Sequence, residues 1–138
     1  MQLAVVAVGS GYPDDSIDVV GRRLRAAGWH AVHAANEFEA VARRLAPALD
    51  VDPEIADGVP VQTLIERYEG MRLVLLSEPL TIRTLTADAL GVAEAALAAP
   101  QPFSLTTIIA GRSGKRSVAG FNDTSHLALA AAGPGGKP

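Results

Sequence analysis

The apolar run at residues 3–8 constrains the fold of this chain more than any other segment. Its six residues, LAVVAV, include no polar position, and a glycine follows them directly. A strand of this kind has to be covered on both faces, as happens in a mainly parallel sheet that lies between two layers of helices. We therefore predict that residues 3–8 form a strand in the interior of such a sheet.

Segments with strand-like and helix-like patterns alternate through the rest of the chain. Further strands are predicted at 29–34, 72–76, 103–110 and 117–121. The spacing of apolar residues predicts helices at 15–27, at 36–49, from Pro60 onward and within 80–99. The sequence GRSGK at 111–115 is typical of a hairpin turn, and 50–58 is predicted as an acidic loop. This order predicts an α/β fold, a three-layer sandwich with a mainly parallel sheet of four to five strands and an antiparallel C-terminal hairpin.

Length and composition bound the organisation of the chain and its partners. With 138 residues, we predict a single α/β domain over residues 1–126 and a flexible C-terminal tail over 127–138, which ends in GPGGKP. The absence of cysteine excludes disulfides, thiolate nucleophiles and Cys-ligated metals. The net charge of −3 does not favour nucleic-acid binding. No segment has the layout of a signal peptide or a membrane span, so we expect a cytoplasmic protein with no membrane contact.

The first predicted strand is followed by a glycine loop and two acids. Gly9-Ser10-Gly11 lies between a strand and a helix, where glycines allow close approach of a phosphate. The dinucleotide fingerprint is incomplete, however, because Asp14 stands at its third glycine position. A tight turn followed by a helix N-cap explains the same residues. Paired acids beside such a loop can also hold a metal ion, a sugar hydroxyl or an amine.

Ligands of open parallel sheets collect beyond the carboxyl ends of the strands, so residues at those ends are the candidates for a binding site. The candidate catalytic residues are Asp15, as a metal ligand, and Glu78, as a general base. The candidate ligand-binding residues are Ser10, Gly11, Asp14, Asn36 and Ser77. No resident metal or cofactor is predicted, since no cofactor motif is complete.

The segment VGSGYPDDS…LRAAGWHAV resembles the start of the molybdopterin-binding proteins of the molybdenum cofactor pathway. Those proteins also begin with a strand, a loop that holds an acid and a serine, a helix, the pair Ala-Gly and a second strand. They carry a glycine-rich loop after a later strand, where this chain has Ser77-Glu78-Pro79. On this difference we assign the chain to no family.

Two groups of chemistry-bearing residues have simpler structural explanations. His30 and His33 are three positions apart, which places them on opposite faces of a strand and makes a shared metal unexpected. Asp123, Ser125 and His126 are the residue types of a catalytic triad, but they lie too close in sequence to converge easily.

Two functions from different classes remain. The favoured interpretation is a non-catalytic α/β subunit or assembly module that acts through homo-oligomer or other protein–protein contacts. Its basis is the lack of a complete catalytic motif and a predicted helix at 86–99 with hardly any charged face. The alternative is an enzyme that binds a small molecule, a metabolite or phospho-ligand, at the strand carboxyl ends. A deep pocket beside Ser10 and Glu78 would favour the enzyme.

Overall fold

A six-stranded sheet lies at the centre of the structure, a computed structural model that describes residues 1–9, 14–111 and 113–132. Its strands are β1 (Gln2–Ala7), β2 (Ala31–Ala34), β3 (Glu54–Ile55), β4 (Arg72–Ser77), β5 (Leu105–Ala110) and β6 (Arg116–Asp123). They lie in the order β3-β2-β4-β1-β5-β6. The first four strands are parallel, and β5 and β6 form the antiparallel C-terminal pair. The predicted fold class is confirmed, with six strands in place of four or five.

β1 occupies an interior position, between β4 on one side and β5 on the other. Its side chains alternate between two apolar cores. Ala4, Val6 and the following Val8 belong to one core, and Leu3, Val5 and Ala7 belong to the other. The absence of a polar face in residues 3–8 therefore has the expected cause, which is burial on both sides of the sheet.

Within the described residues, five α-helices cover the two faces of the sheet. They are α1 (Asp14–Ala27), α2 (Glu39–Leu45), α3 (Val61–Arg67), α4 (Pro79–Leu90) and α5 (Ser125–Ala132). Residues of α1 and α2 pack into the first core, together with Leu127 of α5. Residues of α3 and α4, among them Leu64 and Ile82, pack into the second core. These are the three layers that the alternation of elements predicts.

The acidic segment at 50–58 contains a short strand that the sequence pattern does not reveal. β3 has two residues and pairs in parallel with the end of β2, His33 beside Glu54 and Ala34 beside Ile55. Two residues are too few to show the alternation by which strands are recognised. The prediction of a loop is therefore wrong at Glu54 and Ile55, and this strand sets the position of a charged side chain described below.

α4 ends at Leu90, well before the predicted end of a helix near residue 99. Gly91 follows with a φ of 69°, the left-handed conformation that commonly terminates helices. Residues 91–96 are exposed, and Glu94–Ala96 form one 3-10 turn. The helix predicted at 86–99 is thus wrong from residue 91 onward. The prediction of a homo-oligomer was based on that long uncharged helix, which the structure does not contain. The oligomeric state therefore stays a prediction.

The predicted boundary between domain and tail falls within a helix. α5 runs through it from Ser125 to Ala132, and Leu127 packs against the first core. The division at residue 127 stays a prediction, and residues 133–138 of the tail lie outside the described residues. No helix in the described part of the chain has the length and apolar character needed to cross a membrane.

Replacement of Ser104 by alanine is expected to stabilise the protein. Ser104 is 0% exposed, and its hydroxyl oxygen has no hydrogen-bond partner. A buried unsatisfied polar group costs roughly 1–3 kcal/mol, so its removal should raise the free energy of unfolding by about 1 kcal/mol. Urea denaturation measures this change.

Thr106→Val is the matched control for this substitution. Thr106 is equally buried, but its hydroxyl oxygen accepts a hydrogen bond from the backbone N–H of Asn122 at 3.2 Å. Loss of that bond should lower the free energy of unfolding by about 1 kcal/mol. If both variants change stability in the same direction, the difference in hydrogen bonding does not govern these sites.

Candidate functional site

The helices that follow the neighbouring strands β1 and β4 lie on opposite faces of the sheet. After β1 the chain continues to α1 on the first face, and after β4 it continues to α4 on the second face. Ligands of open α/β sheets bind at such a switch point. The strands stay paired to their ends, where the Val8 N–H donates to the Ser77 carbonyl at 2.8 Å.

A cleft of about 190 Å³ opens on the second face at this level, between α3 and α4. Its polar lining comes from His33, Glu37, Ser77, Glu78 and Thr81, and its apolar lining includes Val61, Leu64 and Leu85. A larger groove of about 630 Å³ lies at the opposite end of the parallel strands, beside Met1 and the end of α3. The smaller cleft is the candidate site, because it lies at the carboxyl ends of the strands.

The N-terminus of α4 contributes backbone donors to the cleft. The first hydrogen bond of this helix runs from the Ile82 N–H to the Glu78 carbonyl at 3.1 Å, and no side chain caps its start. Pro79 has no N–H, so the N–H groups of Leu80 and Thr81 are the donors that the helix leaves without an internal acceptor. Such donors, together with the positive end of the helix dipole, favour an anion.

His33 lies in the wall of the cleft with a carboxylate beside its ring. The parallel register of β2 and β3 sets Glu54 next to His33, and the His33 Nδ1 is 3.3 Å from the Glu54 Oε1. His33 is 3% exposed, and its Nδ1 is buried without an aligned hydrogen bond. Burial lowers the pKa of His33, while the Glu54 carboxylate opposes this shift. His33 is therefore neutral at pH 7.

Glu54 is held in place by two residues of the α3 segment. The Tyr68 hydroxyl donates to Glu54 Oε2 at 2.9 Å, and the Arg67 guanidinium donates to Glu54 Oε1. Burial raises the pKa of Glu54, but the Tyr68 hydrogen bond and the Arg67 charge outweigh it and hold the pKa below its ordinary value. Glu54 is thus an ionised carboxylate with a fixed position behind the His33 ring.

Only part of the predicted site set lies at this cleft. Ser77 and Glu78 line it, whereas Asn36 uses its backbone N–H and side-chain amide to bind Asp57, at 2.7 and 2.9 Å. Asp15 is exposed in the first turn of α1. Ser10 and Gly11 lie outside the described residues, and Asp14 is described only as the first residue of α1.

His33 is the functional candidate that sequence reasoning misses. The expectation that His30 and His33 lie on opposite sides agrees with the structure, since His30 is exposed and its Nδ1 accepts from the Arg72 N–H. The carboxylate partner of His33, however, comes from β3, a strand without a sequence pattern. No local signal marks the pair, because strand order alone brings the two residues together.

Asp123, Ser125 and His126 do converge, and Arg23 of α1 is the residue that joins them. The Arg23 guanidinium lies 2.5 Å from the Asp123 carboxylate, 2.6 Å from the His126 Nδ1 and 3.4 Å from the Ser125 hydroxyl oxygen. The expectation that they lie too close in sequence is wrong, because α5 begins at Ser125 and turns them toward α1. All three bind Arg23, so they do not form a Ser–His–Asp relay.

No protein-family model matches this chain, and no curated protein matches its sequence. Solved structures do match its fold. A phosphoserine phosphatase mutant from Entamoeba histolytica, in complex with phosphoserine, has a TM-score of 0.73 and 14% identity, over 91% of this chain and 98% of that chain. A mycobacterial glucosyl-3-phosphoglycerate phosphatase in complex with VO3 has a TM-score of 0.70 and 12% identity, over 88% and 98%.

The protein histidine phosphatase SixA, in complex with tungstate, also has this fold, with a TM-score of 0.70 and 13% identity over 92% of this chain and 99% of that chain. At these identities the likeness establishes a phosphoglycerate-mutase-like α/β fold. The favoured expectation of a non-catalytic subunit or assembly module is wrong, because the neighbours of this fold are phosphatases. They support the alternative, an enzyme with its ligand at the strand carboxyl ends.

Proposed function

We propose that this chain is an enzyme that binds a phosphorylated small molecule at the carboxyl ends of β2 and β4 and hydrolyses its phosphate ester. The observation that carries this proposal is the position of the cleft, which lies at the carboxyl ends of these two strands and includes Thr81 from the first turn of α4. Solved proteins with the same fold hold phosphoserine, VO3 or tungstate.

The phosphate would be bound chiefly by the first turn of α4. Thr81 lines the cleft and carries both a backbone N–H and a hydroxyl, and the adjacent Leu80, outside the described lining, carries the other N–H that the helix leaves without an internal acceptor. The described lining of the cleft includes no Lys or Arg side chain. We therefore expect binding that depends on the helix terminus more than on paired cations. The volume of about 190 Å³ suits a small ligand, because drug-sized ligands occupy roughly 300–1,000 Å³.

Water is the proposed nucleophile. The described residues at the carboxyl end of β4, beside the first turn of α4, are Ser77 and Glu78, and neither carries a thiol or an imidazole that would form a covalent phosphoenzyme. The imidazole in the described lining of the cleft belongs to His33, which lies in β2. Direct hydrolysis requires a base that accepts a proton from the attacking water. Asp15, the predicted metal ligand, is exposed in the first turn of α1, and its role stays a prediction. A cytoplasmic location also stays a prediction.

Thr81→Val tests the binding of phosphate. Loss of a hydrogen bond to a charged group costs roughly 1.5–3 kcal/mol, so the affinity for inorganic phosphate should fall about tenfold or more. Isothermal titration calorimetry at pH 7.5 measures this change. Thr84→Val is the matched control on the same helix, because the Thr84 hydroxyl donates to the Leu80 carbonyl at 3.1 Å. That variant should bind phosphate as the wild type does.

Hydrolysis is tested with p-nitrophenyl phosphate as the substrate. The wild type should release p-nitrophenolate with saturation kinetics, and Thr81→Val should show a raised KM. The proposal fails if the wild type neither binds inorganic phosphate at millimolar concentrations nor hydrolyses the ester. It also fails if Thr81→Val and Thr84→Val are indistinguishable from the wild type in both measurements.

A further inference from the structure

We infer that His33 is the base that activates the attacking water, and that Glu54 is the residue that positions its ring. This inference rests on the proposed phosphate-ester hydrolysis and names the proton acceptor for that reaction. The juxtaposition from which it follows is a buried histidine in the wall of the candidate cleft, with the partly exposed carboxylate of Glu54 beside its ring.

The His33 Nδ1 lies beside Glu54 and His33 lines the cleft, so Nε2 is the ring nitrogen that we assign to the attacking water. Nδ1 faces the Glu54 Oε1 at 3.3 Å, and a carboxylate at this position favours the tautomer with its proton on Nδ1. Nε2, on the far side of the ring, then carries a lone pair. The contact with Glu54 is not an aligned hydrogen bond, and such bonds commonly tighten only when the ligand is bound.

Glu54 in turn is fixed from α3, so the ring cannot easily turn away. Tyr68 holds one carboxylate oxygen and Arg67 holds the other. The titratable and charged groups around His33, from the elements that surround it, are Glu37, Glu54, Arg67, Tyr68 and Glu78. Of these, Glu54 raises the pKa of His33 and Arg67 lowers it, while burial has the largest effect and keeps the ring neutral.

A neutral histidine suits this cleft as a base better than the carboxylate of Glu78 does. Glu78 also lines the cleft, but it is exposed to water and its negative charge would repel a phosphate dianion. The His33 ring lies in the cleft wall, is only 3% exposed and adds no negative charge there. For these reasons the structure assigns the proton transfer to His33, and Glu78 stays at the rim of the site.

The reaction balances with water as the only co-reactant. A water molecule transfers one proton to Nε2 of His33 while its oxygen forms a bond to phosphorus. The bond between phosphorus and the ester oxygen breaks, and its electron pair leaves with that oxygen. The leaving alkoxide takes a proton from solvent, and His33 returns its own proton to solvent. The products are the alcohol and inorganic phosphate.

His33→Gln separates this role from phosphate binding. General-base catalysis contributes roughly 10²–10⁴-fold, so kcat for p-nitrophenyl phosphate should fall at least about 100-fold. The dissociation constant of inorganic phosphate should stay within about threefold of the wild-type value, because α4 binds the phosphate. His30→Gln is the matched control, since His30 lies outside the cleft, and it should keep the wild-type kcat.

The pH profile of the wild type gives a second measurement that does not depend on how a variant folds. Because His33 acts in its neutral form, kcat should fall as the pH drops through its lowered pKa, below about 6.5. Glu54→Gln removes the charge that raises this pKa. The acid limb of the profile should therefore move to lower pH, which a purely structural role of Glu54 would not cause.

The outcomes distinguish the two proposals. A wild type that hydrolyses the ester without an acid limb below pH 6.5, or a folded His33→Gln variant with wild-type kcat, overturns the role of His33 and leaves the phosphatase in place. A wild type that binds phosphate without hydrolysing the ester also overturns it. A wild type that neither binds phosphate nor hydrolyses the ester overturns both proposals.

Discussion

Val20→Asp should leave the chain without a cooperative unfolding transition at 25 °C. Val20 is 0% exposed in α1 and packs in the apolar first core. Burial of an unpaired charge costs several kcal/mol, and a domain of this kind has roughly 5–15 kcal/mol of stability. Thermal melting followed by circular dichroism at pH 7 measures the loss.

Ala26→Asp is the control for this substitution. Ala26 is exposed near the end of the same helix, so its replacement introduces the same side chain without burial. An acid near a helix C-terminus costs only about 0.3–1 kcal/mol, and the variant should melt cooperatively. A Val20→Asp protein that melts within a few degrees of the wild type would show that α1 does not cover the sheet as described.

Arg23→Gln should produce the second large loss of stability. Its guanidinium joins α1 to the end of β6 and to α5, through Asp123, Ser125 and His126. The Arg23 and Asp123 side chains are 34% and 39% exposed, so solvent screens their attraction. We expect a loss of about 1–3 kcal/mol, between the values for exposed and buried pairs. Urea denaturation measures it, and Arg22→Gln, at an exposed neighbouring position, should change stability by less than about 0.5 kcal/mol.

The same cluster makes part of the stability dependent on pH. A guanidinium can only donate hydrogen bonds, so the His126 Nδ1 accepts from Arg23. The proton is therefore on Nε2, which donates to the Phe103 carbonyl at 2.7 Å. Burial lowers the pKa of His126, the Phe103 hydrogen bond opposes this shift, and the Arg23 charge adds to it. Folded His126 thus binds a proton less readily than the unfolded chain does.

Stability contributed by neutral His126 is present above its unfolded pKa of about 6.5 and is lost as the pH falls toward its lower folded value. His33 acts in the same direction, because its pKa is also lowered by burial. The pH dependence of the free energy of unfolding should be shallower between pH 5 and 6.5 in His126→Gln than in the wild type. Equal slopes in the two proteins would show that folding does not lower the pKa of His126.

The predicted end of α4 was an error that the sequence could have prevented. Gly91 is a recognised stop signal, yet the apolar pattern of 92–97 continues past it and predicts a longer helix. The structure ends α4 at Leu90, since Gly91 adopts a left-handed conformation there. Contacts between helices have no such local signal, and Asp18 of α1 binds Arg44 of α2 at 3.0 Å.

The residues of the candidate site were also only partly predictable from the sequence. Ser77 and Glu78 follow directly from the end of a recognisable strand, and both line the cleft. Asn36 also follows a predicted strand, but its hydrogen-bonding groups bind Asp57. A sequence position at a strand end therefore limits where a side chain lies and does not determine what it contacts.

Strands and turns with a recognisable local pattern could be predicted from the sequence alone. A strand with no polar face at 3–8 needs cover on both sides, and a glycine-containing turn at 111–115 returns the chain antiparallel, so the interior β1 and the β5–β6 pair follow from short segments. The contacts between side chains from distant parts of the chain depend on the tertiary structure. Glu54 reaches His33 because β3 adds to the edge of β2, and Arg23 reaches Asp123 across 100 residues because α5 packs beside α1. Local patterns encode burial, whereas such contacts depend on strand order and helix packing, which are properties of the whole chain.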